Sequence, residues 1–125
     1  MAKRLFVVDD DPPIVGFLAG LGKSCGFEIE SSTTGHQLSE RIAQFQPAFL
    51  ILDLVMPEHD GIEILREMAD AEVKAKILLI SGFNPDLLSR AKALGRAWQL
   101  NVIEIMEKPL DAEKVLACMN AIVAD

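Results

Sequence analysis

Six polar residues at or just beyond the ends of candidate strands carry the chemical content of this 125-residue chain. Asp9, Asp10 and Asp11 follow Leu5-Phe6-Val7-Val8, Asp53 follows Phe49-Leu50-Ile51-Leu52, Ser81 follows Ile77-Leu78-Leu79-Ile80, and Lys108 precedes Pro109. Unit charges about 4 Å apart interact by roughly 4 kcal/mol at an effective dielectric near 20, so adjacent acids behind a buried strand need a partner of opposite sign. Carboxylates sharing one crevice either keep a proton or bind a hard cation, and oxygen donors without His or Cys favour Mg²⁺. A cation site that also holds a hydroxyl and an ammonium suits a phosphoryl group. Mg²⁺, Ser81 and Lys108 would each meet one equatorial oxygen, with Asp53 in line as the nucleophile. Asp53 is assigned the attack because it ends its strand alone, whereas the adjacent Asp9 and Asp10 suit holding the ion. Asp11 is expected at the start of the first helix, where a negative charge is favoured by about 0.3–1 kcal/mol.

Taken singly, each residue has a simpler use. An Asp ending a strand is commonly a cap or turn residue, a Ser after a strand commonly caps the next helix, and a Lys before Pro is commonly surface. Their joint placement at strand ends is what points to one site.

The elements that must position them follow from hydrophobic periodicity. Strands are predicted at RLFVVD (4–9), FEIESS (27–32), AFLILD (48–53), KILLIS (76–81) and VIEIME (102–107). Between and after them, apolar residues recur at helical spacing: Ile14, Leu18, Leu21, Cys25; Leu38, Ile42, Phe45; Ile62, Leu65, Ala69; Leu87, Ala91, Leu94, Trp98; and Val115, Met119, Ile122. This is (βα)5. The first, third and fourth strands are almost continuously apolar, as parallel strands covered on both faces are, and the alternating second strand reads as an edge. Pro12 and Pro13 suit a first helical turn, and Gly26 suits a helix end. Right-handed crossovers then give a doubly wound α/β three-layer sandwich whose working crevice lies beyond the carboxyl ends of the strands.

Composition bounds the function. The length fits one domain, 1–125. With 12 basic and 19 acidic residues the net charge is −7, which repels phosphate backbones and argues against direct nucleic-acid binding. No apolar run approaches a membrane span and no signal peptide is evident, so a cytoplasmic protein is expected. Cys25 and Cys118 read as reduced core thiols, and with His36 and His59 distant in sequence no zinc spacing exists.

VVDDD after the first strand, LDLVMPEHDG around Asp53, Ser81-Gly82, and EKPL around Lys108 together resemble a response-regulator receiver domain of two-component signalling, along the whole chain. The resemblance implies the flavodoxin-like strand order 2-1-3-4-5. It implies a phosphoacceptor at Asp53 served by a sensor histidine kinase, a phosphotransfer protein or a small phosphodonor. It also implies Mg²⁺ held by Asp10, Asp53 and the backbone carbonyl of Val55 with Asp9 in support, and phosphoryl contacts from Ser81 and Lys108. Met56, Pro57 and Gly61 fit the loop after the phosphorylated strand, with Gly61 opening the third helix. Output would pass to an unidentified protein or domain, or to a homodimer, through the face of the fourth helix, fifth strand and fifth helix. Such a domain is a signalling phosphoacceptor that assists its own phosphorylation and dephosphorylation.

This sequence departs from the family pattern in places. The position of the usual aromatic switch is Ile105, which raises the alternative of a phosphorylation-independent binding module. The Ser81–Lys108 stretch is longer than usual by about one helical turn, through AKALGRAWQLN. That segment and NVIEIMEKPL are similar to receivers that precede cyclic di-GMP phosphodiesterase domains. Val55 and Phe83, both apolar, flank the site where water would reach an acyl phosphate, so a long-lived phosphorylated form is expected. A haloacid-dehalogenase-type phosphohydrolase, with Asp9 and Asp11 as its spaced acids, is a further alternative. It lacks the Gly-Thr that usually follows and a late acidic pair. An acidic end to the first strand also disfavours a flavin phosphate.

Overall fold

In the computed structural model, residues 2–82 and 84–125 are described. Five parallel strands form one sheet: β1 (Arg4–Val8), β2 (Glu28–Ser32), β3 (Phe49–Asp53), β6 (Lys76–Ser81) and β7 (Asn101–Glu107), in the order β2-β1-β3-β6-β7. This is the flavodoxin-like 2-1-3-4-5 order, with two short strands inserted after β3. Every residue of β3 is buried, as is every residue of β6 but Lys76, because helices cover both faces. Phe6, Val8, Leu50, Leu52, Ile77 and Leu79 face α2 (Leu38–Phe45), α3 (Gly61–Asp70) and α4 (Pro85–Ala97). Leu5, Val7, Phe49, Ile51, Leu78 and Ile80 face α1 (Pro12–Ser24) and α5 (Ala112–Ala124). Each fully buried apolar side chain of this kind contributes about 1.5–3 kcal/mol.

Helix boundaries follow local chemistry. Pro12 and Pro13 open α1, where a missing N–H costs nothing. Gly26, at φ 93°, ends it: the Phe27 N–H donates to Gly22 O and the Gly26 N–H to Lys23 O, both at 3.0 Å, which closes a Schellman motif. Asp60 and Asp111 cap α3 and α5 by accepting from the N–H groups of Ile62 and Glu113.

Several expectations shift. The predicted core stripe of α3 (Ile62, Leu65, Ala69) is rotated, with Ile64, Leu65 and Met68 fully inside. That of α4 moves from Leu87 and Leu94 to Leu88, Ala91 and Gly95. Apolar residues occur on more of each helix than the sheet can cover, and the crossover angle selects the stripe. In the stretch before β7, α4 runs 13 residues, and β7 carries a bulge at Ile103, between the pairs Ile77–Val102 and Leu78–Glu104. Arg96 donates from both Nε and an Nη to Val102 O, at 3.1 and 3.0 Å, covering this edge beside the bulge. Trp98 ends α4, about 20 Å along the helix from its first turn, and stacks under Arg66. Cys25 and Cys118 form no disulfide and are half-buried rather than fully in the core, with Cys25 Sγ donating to Asn120 Oδ1 at 3.6 Å.

Candidate functional site

The strand ends do converge. Asp9 lies just beyond β1, Asp53 ends the central β3, Ser81 ends β6 and Lys108 lies just beyond β7. Lys108 Nζ sits 2.8 Å from Asp9 Oδ2 and 3.2 Å from Asp53 Oδ2. The longer contact is an aligned hydrogen bond, whereas the shorter is a close ion pair without hydrogen-bond alignment. The ammonium is therefore the opposite charge that the acidic run required. Backbone connections hold these ends in place: Asp9 N–H donates to Ser32 O, Leu54 N–H to Ile80 O, and Lys108 N–H to Ser81 O at 2.8 Å. The Lys108–Pro109 peptide bond is cis.

The three acids behind β1 divide in a way that sequence alone did not show. Asp9 is fully buried, and its Oδ1 accepts from the Asp11 N–H at 2.9 Å. Asp10 is exposed at the mouth of the crevice. Asp11 stands at the N-cap of α1, but its side chain makes no cap bond; its backbone carbonyl accepts from Ile14 and Val15.

Asp53 is almost wholly buried, and its Oδ1 accepts from the Val55 N–H at 3.0 Å. Burial raises its pKa to about 6; the Val55 N–H works against that rise, Asp9 adds to it, and Lys108 opposes it. Lys108 is held above its ordinary value: burial works against its charge, but pairing with Asp9 and Asp53 outweighs that cost. Ser81 Oγ is buried and has no hydrogen-bond partner among the described residues, a state that costs about 1–3 kcal/mol.

Asp9, Asp10 and Asp53 each bring a carboxylate oxygen within 4.8 Å of the others. An all-oxygen donor set at that spacing fits a hard divalent cation such as Mg²⁺. The residues Asp10, Asp53, Val55, Ser81 and Lys108 line one open crevice of about 360 Å³. Ile105 does not reach it; half-buried in β7, it packs against the α2–α3–α4 side of the core.

Some parts of the site escaped the sequence reading. Asn84 lines the crevice beside the expected Gly82, and its carboxamide oxygen caps α4 by accepting from the Leu87 N–H at 3.1 Å. The helix cap is thus Asn84 rather than Ser81, and Asn directly before Pro was the available signal. Val55–Met56 (β4) and His59–Asp60 (β5) pair as a small hairpin whose turn puts Glu58 at φ 67°. Gly61 is required where this hairpin meets α3, since a Cβ there would lie 2.6 Å from Leu54 O. His36 and His59, distant in sequence, line one surface cavity, yet no metal-ligand cluster forms there among the described residues. The reading of Phe83 lies outside the described residues.

Fold and site together define a class: a doubly wound α/β domain with an acid–ammonium–hydroxyl crevice at its switch point. The family model described as "Response regulator receiver domain" matches residues 5–120, and the chain belongs to that family. It is 31% identical over 118 residues to the response regulator receiver protein CpdR of Brucella abortus, covering 88% of this chain and 98% of that one. It is 27% identical over 121 residues to the chemotaxis protein CheY of Bacillus subtilis, covering 96% and 97%. The crystal structure of a response regulator from Colwellia psychrerythraea superimposes with a TM-score of 0.82 at 28% identity, over 99% of this chain and 98% of that one. No helix among the described residues is long and apolar enough to cross a membrane.

Proposed function

We propose that residues 1–125 form one receiver domain that takes a phosphoryl group onto Asp53, from a sensor histidine kinase, a phosphotransfer protein or a small phosphodonor, and thereby switches a protein-binding face. The observation that carries this is the buried, unpartnered Ser81 Oγ in the same crevice as Asp53 and Lys108. A hydroxyl left unpaired at that cost is explained by an oxygen that arrives with the phosphoryl group.

In the transfer, an Asp53 oxygen attacks phosphorus while the bond from phosphorus to the donor's nitrogen or oxygen breaks. The donor leaves with that electron pair: an imidazole nitrogen takes a proton from solvent as needed, and a carboxylate oxygen of a small phosphodonor leaves as the free anion. Lys108 Nζ and Ser81 Oγ donate to the phosphoryl oxygens and hold the group in line. Asp9, Asp10, Asp53 and the Val55 carbonyl would hold Mg²⁺, whose positive charge offsets that of the carboxylates and the incoming phosphate. The same residues would assist both formation and loss of the acyl phosphate, which is self-modification rather than turnover of a separate substrate.

The added charge would draw Ser81 and Lys108 inward and bias the face of α4, β7 and α5 between two arrangements. Leu88, Ile105, Met106, Ala117 and Cys118 line an open cavity of about 590 Å³ there, suited to an output protein or a second copy. This reading places the domain in the cytoplasm, where its thiols stay reduced. Ile105 in place of an aromatic favours a second reading, a binding module that needs no phosphorylation.

The test is intact-mass measurement after incubation with acetyl phosphate and Mg²⁺, and separately with a phosphorylated kinase. One added phosphoryl group that is lost in Asp53→Asn is expected. A folded protein that takes none from either donor would sink the phosphoacceptor reading in favour of the binding module.

A further inference from the structure

The N-terminus of α4 faces the crevice, and its cap residue is part of the crevice wall. Asn84 lines the same cavity as Asp53, Ser81 and Lys108. Its carboxamide oxygen is committed to the Leu87 N–H, which leaves Nδ2 on the other side of the carboxamide. Asn84 is exposed, and its Nδ2 donates no hydrogen bond to any of the described residues, so it faces solvent and is free to meet an acceptor in the crevice. Asn, Asp and Ser cap a helix almost equally well, so capping does not account for a carboxamide at this position. The buried Ser81 Oγ, also unpartnered, independently marks this wall as one that awaits an acceptor. The positive end of α4 adds to the same preference for an anion.

We infer that Asn84 is a positioning residue of the phosphoryl site, donating from Nδ2 to a phosphoryl oxygen while its Oδ1 keeps the first turn of α4 in place. The inference rests on the phosphoacceptor reading. It extends that reading by making the cap of α4 a sensor of the phosphoryl group: one side chain holds both, so site occupancy is transmitted to the helix without passing through Ile105.

The probe is beryllofluoride with Mg²⁺, with binding followed by ¹⁹F NMR and Mg²⁺ affinity measured separately by calorimetry, on the full chain and on Asn84→Ser and Asn84→Asp. Both variants keep a capping oxygen and are expected to unfold at the same urea midpoint as the unmodified protein. Asn84→Ser replaces the carboxamide with a shorter hydroxyl whose oxygen caps the helix and whose O–H lies back from the position of Nδ2, and should weaken beryllofluoride binding about tenfold, the worth of one hydrogen bond to a charged group. Asn84→Asp places a negative charge beside the anion and should weaken it further. Neither should weaken Mg²⁺ binding. Unchanged beryllofluoride affinity in both variants, or equal losses for Mg²⁺ and beryllofluoride, would overturn the role of Asn84. Failure of the unmodified protein to bind beryllofluoride would instead count against the phosphoacceptor reading.

Discussion

Ionised Asp53 opposes folding, and removing its charge should stabilise the protein. Its pKa in the folded state is about 6 against an ordinary 3.8. The sign follows from linkage. A carboxyl whose folded pKa is raised gives stability that is fully present below about pH 3.8 and is lost as pH rises through about 6. At roughly 1.4 kcal/mol per pKa unit the loss approaches about 3 kcal/mol, and relaxation of the crevice lowers it toward about 1 kcal/mol. Asp53→Asn behaves as a permanently protonated Asp53: its oxygen still accepts from the Val55 N–H, and Lys108 keeps Asp9. Urea unfolding followed by circular dichroism in the presence of EDTA should therefore show the variant to be more stable at pH 8 by about 1–3 kcal/mol. The advantage should shrink steadily toward pH 4. Added Mg²⁺ should stabilise the unmodified protein more than the variant, because the variant has lost one anionic donor. A variant less stable than its parent at pH 8, or a difference that is the same at pH 5 and pH 8, would refute the reasoning.

The same crevice yields other expectations. Ser81→Ala removes an unpaired buried hydroxyl and should raise the unfolding free energy by up to about 1 kcal/mol in urea, while slowing phosphorylation by acetyl phosphate in the mass assay. Lys108→Met leaves Asp9 and Asp53 buried without their cation and should cost about 3–5 kcal/mol in the same urea titration at pH 8. Because it removes the cation that holds Asp53 ionised, its loss should lessen as pH falls toward 5. Gly61→Ala drives a Cβ into the Leu54 backbone and should destabilise by about 1–3 kcal/mol. It should also weaken Mg²⁺ binding measured by calorimetry, since Leu54 adjoins Asp53.

Much of the site was legible because it is built from strand ends. An apolar run of five or so residues followed by a polar one declares both the strand and the place where it leaves the core. Asp53 and Ser81 are found this way with no knowledge of distance, and Lys108 by its place between the mixed fifth strand and Pro109. Asn84 was missed because its signal is that of a helix cap, and nothing local distinguishes a cap that faces a crevice from one that faces water. The hairpin of β4 and β5 was missed because its turn places Glu58, not Gly or Asn, at positive φ.

Local patterning was enough to give the alternation of strands and helices and, through the almost unbroken apolar runs of β3 and β6, the covering of both sheet faces. These are short-range patterns, set by the periods of 2 and 3.6 with which side chains leave a strand or a helix. Which acid behind β1 is which depended instead on long-range packing. Asp9 turns inward to Lys108, about a hundred residues away, and Asp10 outward to the mouth. That packing also decided which stripe of α3 and α4 meets the sheet, and that the N-cap of α4 borders the same space as Asp53. Such pairings depend on how crossovers lay distant segments side by side, and no local period encodes a distance between strand ends.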